Sequence, residues 1–395
     1  MSVPSKKLRL MLICGEPSGD QLGAQLMAGL KVLDPGVEIT GVGGRAMAAE
    51  GLQSLFPLDA TAVMGLREVV PAIPAILRRV RQATDFALAQ KPDAVVLIDS
   101  PDFTHRIARR IKRLDPSIRT VNYVAPQVWA SRPYRARAMA KYFDLVLALL
   151  PFETAFFEKY GLRAVFVGHP VIERRARMTG GAELRIRLGI AADAPLLAVL
   201  PGSRTSEIRF LLPVFRAAVA LLAQRIAGLV CVLPTVPHVA AKVRAAAADW
   251  PTPLHIIEGD DEKYRAFDAA DAALAASGTV TTELALAGTP MVAAYRVGWL
   301  TYLLARPLMT VKYMTLVNIL LGRAAVPEYE QHFATPRALA DAVTPLLTDK
   351  NAAALQQASL KDAAHRLGQG EEAPSLRAAR ALLEFARQEH RPEKV

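Results

Sequence analysis

The sequence predicts an α/β protein made of two doubly wound, Rossmann-like halves. Three observations carry this reading. Short apolar runs alternate with helical patterns almost throughout; the alternation stops in one charged stretch and then restarts; and 395 residues exceed what one ordinary core holds. Alternation of this kind implies parallel sheets with helices on both faces. In such open sheets ligands sit beyond the carboxyl ends of the strands, so the residues just after each strand matter most.

Taken in order, Leu8–Cys14 is the first strand, an apolar run too short for a helix and closed by a glycine turn. A helical pattern over Gln21–Leu33 follows. Val37–Val42, Ala94–Asp99, Arg119–Val124, Leu145–Leu149 and Val165–Val167 read as further strands, with Arg106–Leu114 among the helices between them. The stretch 173–190, ERRARMTGGAELRIRLGI, is charged, glycine-containing and strand-free, as a linker between domains should be. Strands resume at Leu196–Leu200, Leu229–Leu233, Leu254–Ile257, Ala272–Ala275 and Met291–Tyr295. The expected domains are therefore 1–172 and 191–350, joined by 173–190. The tail 351–395 is helical in pattern and either packs back on the first domain or exchanges between subunits, which leaves a homodimer open.

Apolar residues make up 52% of the chain and charged residues 22%, a globular composition; the net charge of +11 suits an anionic partner. Nucleic acid, a nucleotide-bearing substrate and an acidic membrane surface all qualify. Trp129, Trp250 and Trp299 show no base-stacking pattern and no nucleic-acid module can be named, so nucleic acid is not expected. Cys14 and Cys231 fall in different halves, which argues against a disulfide and for a reducing compartment. No Cys/His spacing suits zinc. The N-terminus has no signal-peptide layout. The uncharged run Ile226–Ala241 is broken by Pro234 and Pro237 and falls short of the roughly 20 residues that span a bilayer. A cytosolic chain is expected.

The first strand runs into CGEPSGDQLGA. Gly15 and Gly19 allow a tight turn, Ser18 and Asp20 can cap the next helix, and Glu16 stands where a polar group would point into a cleft. Neither a G-x-G-x-x-G fingerprint nor a P-loop is present, and a well-capped turn accounts for the same residues. DAVVLIDSPDF, which opens on Asp93, delivers Asp99 at a strand end and Asp102 in a loop held by Pro101. A general base needs such a placement; helix capping by Asp102 is the competing reading. The spacing does not suit D-x-D chelation, and no metal is expected.

In LPGSRTSEI, Gly202 permits close backbone approach while Ser203 and Arg204 precede a helix. A guanidinium beside a helix N-terminus is a cradle for a diphosphate. In SGTVTTELA, Ser277, Gly278 and Thr279 make a second strand-to-helix turn with N–H groups for phosphate oxygens. Glu283 arrives one residue late for a capping box that begins at Thr279. One turn deeper, its carboxylate can accept hydrogen bonds from two vicinal hydroxyls, as carboxylates hold a ribose. A solvated surface Glu is the rival, against which the apolar run Leu284–Ala287 speaks. His169, a lone histidine, reads as structural.

AVMGLREVVPAIPAILRRVRQ offers the basic chain an anionic surface. Val69, Val70, Ile73 and Ile76 supply apolar side chains, and Arg78, Arg79 and Arg81 follow at once. An apolar patch edged by Arg lies on an anionic bilayer without crossing it. A core helix with a solvated basic end has the same composition.

In chain order CGEPSGD, GVGG, PDAVVLIDSPDF, YVAPQVWA, LPFE, VGHP, LPGSRTSEI, SGTVTTELA and PEYEQ cover about residues 10–331. As a set they resemble the lipid-A-disaccharide synthases, inverting glycosyltransferases of the GT-B fold, whose two Rossmann-like domains face each other across a cleft. The resemblance implies that UDP-2,3-diacylglucosamine donates its sugar to the 6-hydroxyl of 2,3-diacylglucosamine 1-phosphate (lipid X). The products are a β-1,6-linked disaccharide and UDP; no cofactor and no tightly held metal is implied. The setting implied is a Gram-negative cell, on the cytoplasmic face of the inner membrane, with peripheral contact to its anionic surface.

Carried over by motif, Asp102 is the general base, and Glu16, Ser18 and Asp93 are functionally important without separate roles. Gly202, Ser203, Arg204, Ser277, Gly278 and Thr279 face the UDP diphosphate and Glu283 the ribose, while Asn318 and Gln331 complete the donor cleft. Pro17, Ser131, Thr282 and Val317 depart from the family pattern, which leaves the loop shape near Ser131 and the rigidity near Asn318 open. Another UDP-sugar enzyme of the same fold, such as a 2-epimerase, would share the donor-side motifs, although IDSPDF and YVAPQVWA speak against it. A non-catalytic peripheral lipid-binding protein is the remaining alternative, and the joint presence of Asp102, Arg204 and Glu283 speaks against that.

Overall fold

The apolar runs form strands because their side chains alternate between two buried faces. In a computed structural model, which describes residues 7–58, 66–131, 133–299, 302–303, 309 and 311–388 and leaves the side chains of 66–72 undescribed, the first sheet holds six parallel strands. These are β1 (Arg9–Cys14), β2 (Glu38–Val42), β3 (Ala94–Ile98), β4 (Thr120–Tyr123), β5 (Leu145–Ala148) and β6 (Ala164–Phe166), in the order β2-β1-β3-β4-β5-β6. Met11, Ile13, Val95 and Leu97 pack on one face with Ile107 and Ile111 of the helix Pro101–Leu114. Leu10, Leu12, Val96 and Ile98 pack on the other with Leu26 and Leu30 of the helix Pro17–Leu33. Each such side chain contributes about 1.5–3 kcal/mol by its burial. With both faces covered the strands read as unbroken apolar runs.

The second sheet repeats the plan with β7 (Leu196–Leu200), β8 (Val230–Thr235), β9 (Leu254–Glu258), β10 (Ala272–Ala276), β11 (Met291–Tyr295) and β12 (Glu328–Glu330), in the order β12-β11-β10-β7-β8-β9. The sequence offers no sign of β12. It is a three-residue edge strand, Glu-Tyr-Glu, with no apolar run to mark it.

Each sheet reverses its winding once. After β2 the chain returns to the far side of β1 to lay down β3, and after β9 it returns to the far side of β7 to lay down β10. The helices that follow β1 and β3 cover opposite faces, as do those that follow β7 and β10. The diverging loops leave a crevice at the carboxyl ends of each pair, which is where such sheets hold ligands.

The chain divides into two compact units, Met1–Pro170 with Gly370–Val395, and Val171–Gln369. The stretch 173–190, expected as a linker, lies inside the second unit. Its helix Gly181–Arg187 packs on the helix Asp260–Ala269, and Arg185 pairs with Asp271 at 2.9 Å. Four of the arginines that suggested a solvated linker, Arg174, Arg177, Arg185 and Arg187, are engaged in ion pairs. The tail is divided as well. The helix Lys350–Arg366 stays with the second unit, where Gln356 bonds the Met291 backbone N–H and carbonyl. Only the helix Pro374–Arg387 joins the first unit, setting Ala378, Ala379 and Leu382 among the residues that pack around Leu26 and Leu30. No described helix is long and apolar enough to cross a membrane.

Candidate active site

In the second unit the crevice between β7 and β10 opens into a cavity of about 640 Å³, within the range of roughly 300–1,000 Å³ usual for ligand sites. Four helices begin at its wall: Thr205–Arg225, Pro237–Ala246, Asp260–Ala269 and Thr279–Ala287. A helix N-terminus carries unsatisfied N–H groups and about half a unit of positive charge. Four of them favour an anion even though the charged side chains around the cavity balance, Arg174, Arg204 and Lys263 against Glu207, Asp260 and Glu283. Gly202, Ser203, Arg204, Ser277, Gly278, Thr279 and Glu283 all line this cavity.

The two turns named by the sequence differ in a way it did not disclose. At the start of Thr205–Arg225 the Glu207 carboxylate accepts the N–H groups of Ser203 at 2.8 Å and Arg204 at 3.1 Å, and pairs with the Arg204 guanidinium at 2.9 Å. Gly202 is required here: it has φ 109°, and a Cβ would run into the Glu207 carboxylate. The cradle is therefore held by the chain's own acid. At the second turn Gly278 is the N-cap and has no side chain to offer, so the amides of Thr279 and Val280 stand uncapped at the cavity wall.

Glu283 is 3% exposed and not solvated. Arg174 Nη1 donates to Oε1 at 2.8 Å, Tyr264 Oη donates to Oε1 at 3.2 Å, and Lys263 Nζ reaches Oε1 at 3.3 Å and Oε2 at 3.1 Å. A buried carboxylate needs such partners, because an unpaired buried charge is very costly. Burial first, and then the Glu283 charge, push the Tyr264 phenol up, so it remains a neutral donor. Burial pulls the Lys263 ammonium down, and the Glu283 charge and hydrogen bond together with Tyr264 and Asp260 more than offset it, so the ammonium is raised. The sequence reading missed all three partners. Arg174 lies in the supposed linker, and Lys263 and Tyr264 lie in DDEKYRAF, which looks like a solvated helix start. One signal was available: a Glu inside an Ala/Leu helix demands a cation from elsewhere.

Asn318 and Gln331 do not line this cavity. Asn318 Nδ2 donates to the Val326 carbonyl and Glu328 Oε1, both at 2.8 Å, and Oδ1 accepts the N–H groups of Ala325 at 2.8 Å and Val326 at 2.9 Å. Gln331 accepts the Val297 N–H at 3.0 Å and donates to its carbonyl at 3.2 Å. Both amides are engaged in shaping the backbone around β11 and β12.

In the first unit the crevice lies between β1 and β3. Glu16 is the N-cap of Pro17–Leu33 with Pro17 at the first helical position, where proline is well tolerated. Asp20 caps a different helix: its carboxylate accepts the N–H groups of Gly44, Ala46 and Met47 where Arg45–Ala49 begins. Ser18 Oγ donates to Asp99 Oδ2 at 3.0 Å and ties the two loops together. Gly15 allows their approach, since a Cβ there would sit 2.7 Å from Ser100 Cβ. Asp99 and Ser100 have φ 53° and 45°, left-handed conformations that cost on the order of 1–3 kcal/mol each and collect at functional sites. They turn the chain so that Asp102 stands exposed in the first turn of Pro101–Leu114. Ser100, not Asp102, is the N-cap, so capping does not account for Asp102. Among the described residues the Asp102 side chain has no partner; its carbonyl accepts from Arg106 Nε at 2.8 Å.

Asp93 is not part of this group. It precedes β3 at the amino end of the strands, opposite the crevice and roughly 17 Å away by the rise of a parallel strand, and its Oδ2 accepts the Arg9 N–H at 2.8 Å. Its place in the chemistry is thereby corrected to a backbone anchor between β1 and β3. The YVAPQVWA loop follows β4 and opens on Val124 at φ 68°, rare for a β-branched residue. Trp129 Nε1 donates to Glu153 Oε1 at 2.9 Å, and Glu153 Oε2 accepts the N–H groups of Leu149 and Leu150. Glu153 is 3% exposed and burial pushes its carboxyl up to about 7.

The proposed membrane patch falls on the helix Leu66–Gln90. Val69 and Val70 lie outside the described side chains. Ile73 is 44% exposed and Leu77, one turn on, 40%; Arg78 and Arg81 are exposed too. Ile76 instead packs against the core near Val80 and Ala83, and Arg79 stacks over the Phe56 ring at 4.7 Å. The 3.6-residue period sends these two side chains inward, which corrects their assignment to the patch.

A family model described as lipid-A-disaccharide synthetase matches residues 10–382. The lipid-A-disaccharide synthase of Rhodospirillum centenum is 50% identical over 379 residues, 96% of this chain and 94% of the relative. That of Paramagnetospirillum magneticum is 48% identical over 382 residues, 96% and 98% of the two chains. Among solved structures, the UDP-GlcNAc 2-epimerase from Neisseria meningitidis bound to UDP-GlcNAc aligns with a TM-score of 0.60 at 12% identity, over 96% of this chain and 99% of that one. At that identity the likeness speaks for the fold alone, the GT-B class of two Rossmann-like domains. Sequence identity near one residue in two over almost the full length decides the family: the chain belongs to the lipid-A-disaccharide synthases and is a glycosyltransferase of lipid A biosynthesis.

Proposed function

We propose a division of labour for the family's reaction, in which UDP-2,3-diacylglucosamine gives its sugar to the 6-hydroxyl of lipid X. The second unit binds the uridine diphosphate. The uncapped amides of Thr279 and Val280 and the guanidinium of Arg204 take the phosphate oxygens, and Glu283 takes the ribose. The observation that carries this reading is the cavity onto which four helix N-termini converge at the reversal of the second sheet. Negative charge grows on the departing UDP, and fixed N–H donors and helix dipoles aimed at that charge lower the barrier. Arg204 has a side chain 79% exposed, so it can leave Glu207 for phosphate at little cost.

Asp102, exposed and without a side-chain partner among the described residues, takes the proton of the acceptor hydroxyl as its oxygen attacks the anomeric carbon. One displacement inverts that carbon and gives the β-linkage. Ser18 acts through Asp99 on the loop that presents Asp102, and Glu16 flanks it. Asn318 and Gln331 serve the site through the backbone they hold. Ile73 and Leu77, with Arg78 and Arg81 beside them, meet the anionic cytoplasmic face of the inner membrane, where acylated substrates reside. Calorimetry tests the donor half: Arg204→Ala and Glu283→Ala each weaken UDP binding about tenfold or more, as loss of a charged hydrogen bond does. Unchanged affinity in both would put the nucleotide elsewhere.

A further inference from the structure

Each carboxylate oxygen offers two lone pairs. Oε1 of Glu283 receives Arg174 at 2.8 Å and Tyr264 at 3.2 Å, one donor for each lone pair, while Lys263 sits between the two oxygens, nearer Oε2 at 3.1 Å than Oε1 at 3.3 Å. Oε1 is full and Oε2 has one place left. The donors are fixed in turn. Lys263 lies 4.5 Å over the Tyr264 ring and 3.4 Å from Asp260, and Arg177 stacks on the same ring at 5.2 Å. Arg174, Lys263 and Glu283 all line the cavity, so this arrangement faces whatever enters it.

We propose that Arg174 and Lys263 are positioning residues of nucleotide recognition: with Tyr264 they saturate one oxygen of Glu283, so that the other reads a single hydroxyl of the ribose diol. The inference rests on the reading that the ribose of UDP meets Glu283, and it narrows that reading from two hydroxyls to one. It also assigns the two cations to the carboxylate rather than to the diphosphate. Glu283 would otherwise turn about its side-chain torsions and accept from either hydroxyl, or from water.

Competitive calorimetry with UDP, 2′-deoxy-UDP, 3′-deoxy-UDP and UMP tests this on the intact protein. In the wild type one of the two deoxy nucleotides binds about tenfold weaker than UDP, while the other stays within about twofold. In Arg174→Gln and in Lys263→Gln that tenfold ratio falls toward one, the UDP-to-UMP ratio is unchanged, and Lys263→Arg restores the discrimination. Tyr264→Phe, which removes one donor and no charge, shifts the ratio the same way by less and guards against loss of fold in the charge variants. Equal penalties for both deoxy nucleotides, or a discrimination that survives both Gln variants, would overturn the proposal. So would a collapse of the UDP-to-UMP ratio in those variants, which would make the cations phosphate ligands. A wild type that binds UDP but ignores both hydroxyls would refute the placement of the ribose at Glu283 itself, an outcome distinct from the others.

Discussion

Glu153 gives the fold a pH dependence whose size and sign follow from its surroundings. Its carboxyl is pushed from 4.5 to about 7 by burial, against the hydrogen bonds from Trp129, Leu150 and Leu149 that favour the charged form. At about 1.4 kcal/mol per pH unit, this displacement corresponds to about 3 kcal/mol. The folded state holds a proton that the unfolded chain has released, so the contribution is fully present below pH 4.5 and is lost as pH rises through about 7. His105 acts in the opposite direction. Burial, then Arg109 and Arg135, lower it from 6.5 to about 4, so its contribution is lost as pH falls. The wild-type profile alone therefore mixes the two, and the informative quantity is a difference. Urea unfolding of wild type and Glu153→Gln between pH 4.5 and 8 should show the wild type's advantage shrinking by about 3 kcal/mol across the interval. A stability difference that stays flat with pH would refute the burial argument.

Asp102→Asn keeps the shape of the loop and removes the base; turnover falls by about two orders of magnitude or more while UDP affinity holds, and wild-type turnover in the folded variant would dismiss the role. Ile73→Ser with Leu77→Ser releases the protein from vesicles of anionic phospholipid and leaves the thermal melt nearly unchanged. Ile76→Ser, facing the core, lowers stability and leaves vesicle binding intact. Salt weakens the wild-type binding without abolishing it, because the apolar part is unscreened; full retention of binding in the double variant would remove this surface from the account.

Much of the fold was legible because both sheets are parallel and covered on two faces, so β1, β3, β7 and β10 appear as unbroken apolar runs, and the turns that follow β7 and β10 line the cavity. β12 was not legible, since three residues of Glu-Tyr-Glu pair only at an edge. Within the site, Ser277–Thr279 and Gly202–Arg204 were found because a local turn fixes them. The partners of Glu283 were not, because Arg174 lies 109 residues away and Lys263 20 residues away along the chain. Asp93 misled for a related reason: a motif places residues in order, but five residues of strand separate Asp93, at the amino end of β3, from Asp102 beyond its carboxyl end. Asn318 and Gln331 were read as completing the donor cleft, whereas neither lines the cavity: the Asn318 amide is fully engaged with Val326, Ala325 and Glu328, and Gln331 exchanges a pair of hydrogen bonds with the Val297 backbone. Only tertiary pairing reveals that.

The central claim is tested most directly by incubating the purified protein with UDP-2,3-diacylglucosamine and lipid X and analysing the products by mass and by linkage. The account predicts a β-1,6-linked tetra-acyl disaccharide 1-phosphate and one UDP released for each disaccharide formed. Donor epimerised at C2 without transfer, or no product from protein that is folded and binds UDP, would contradict it.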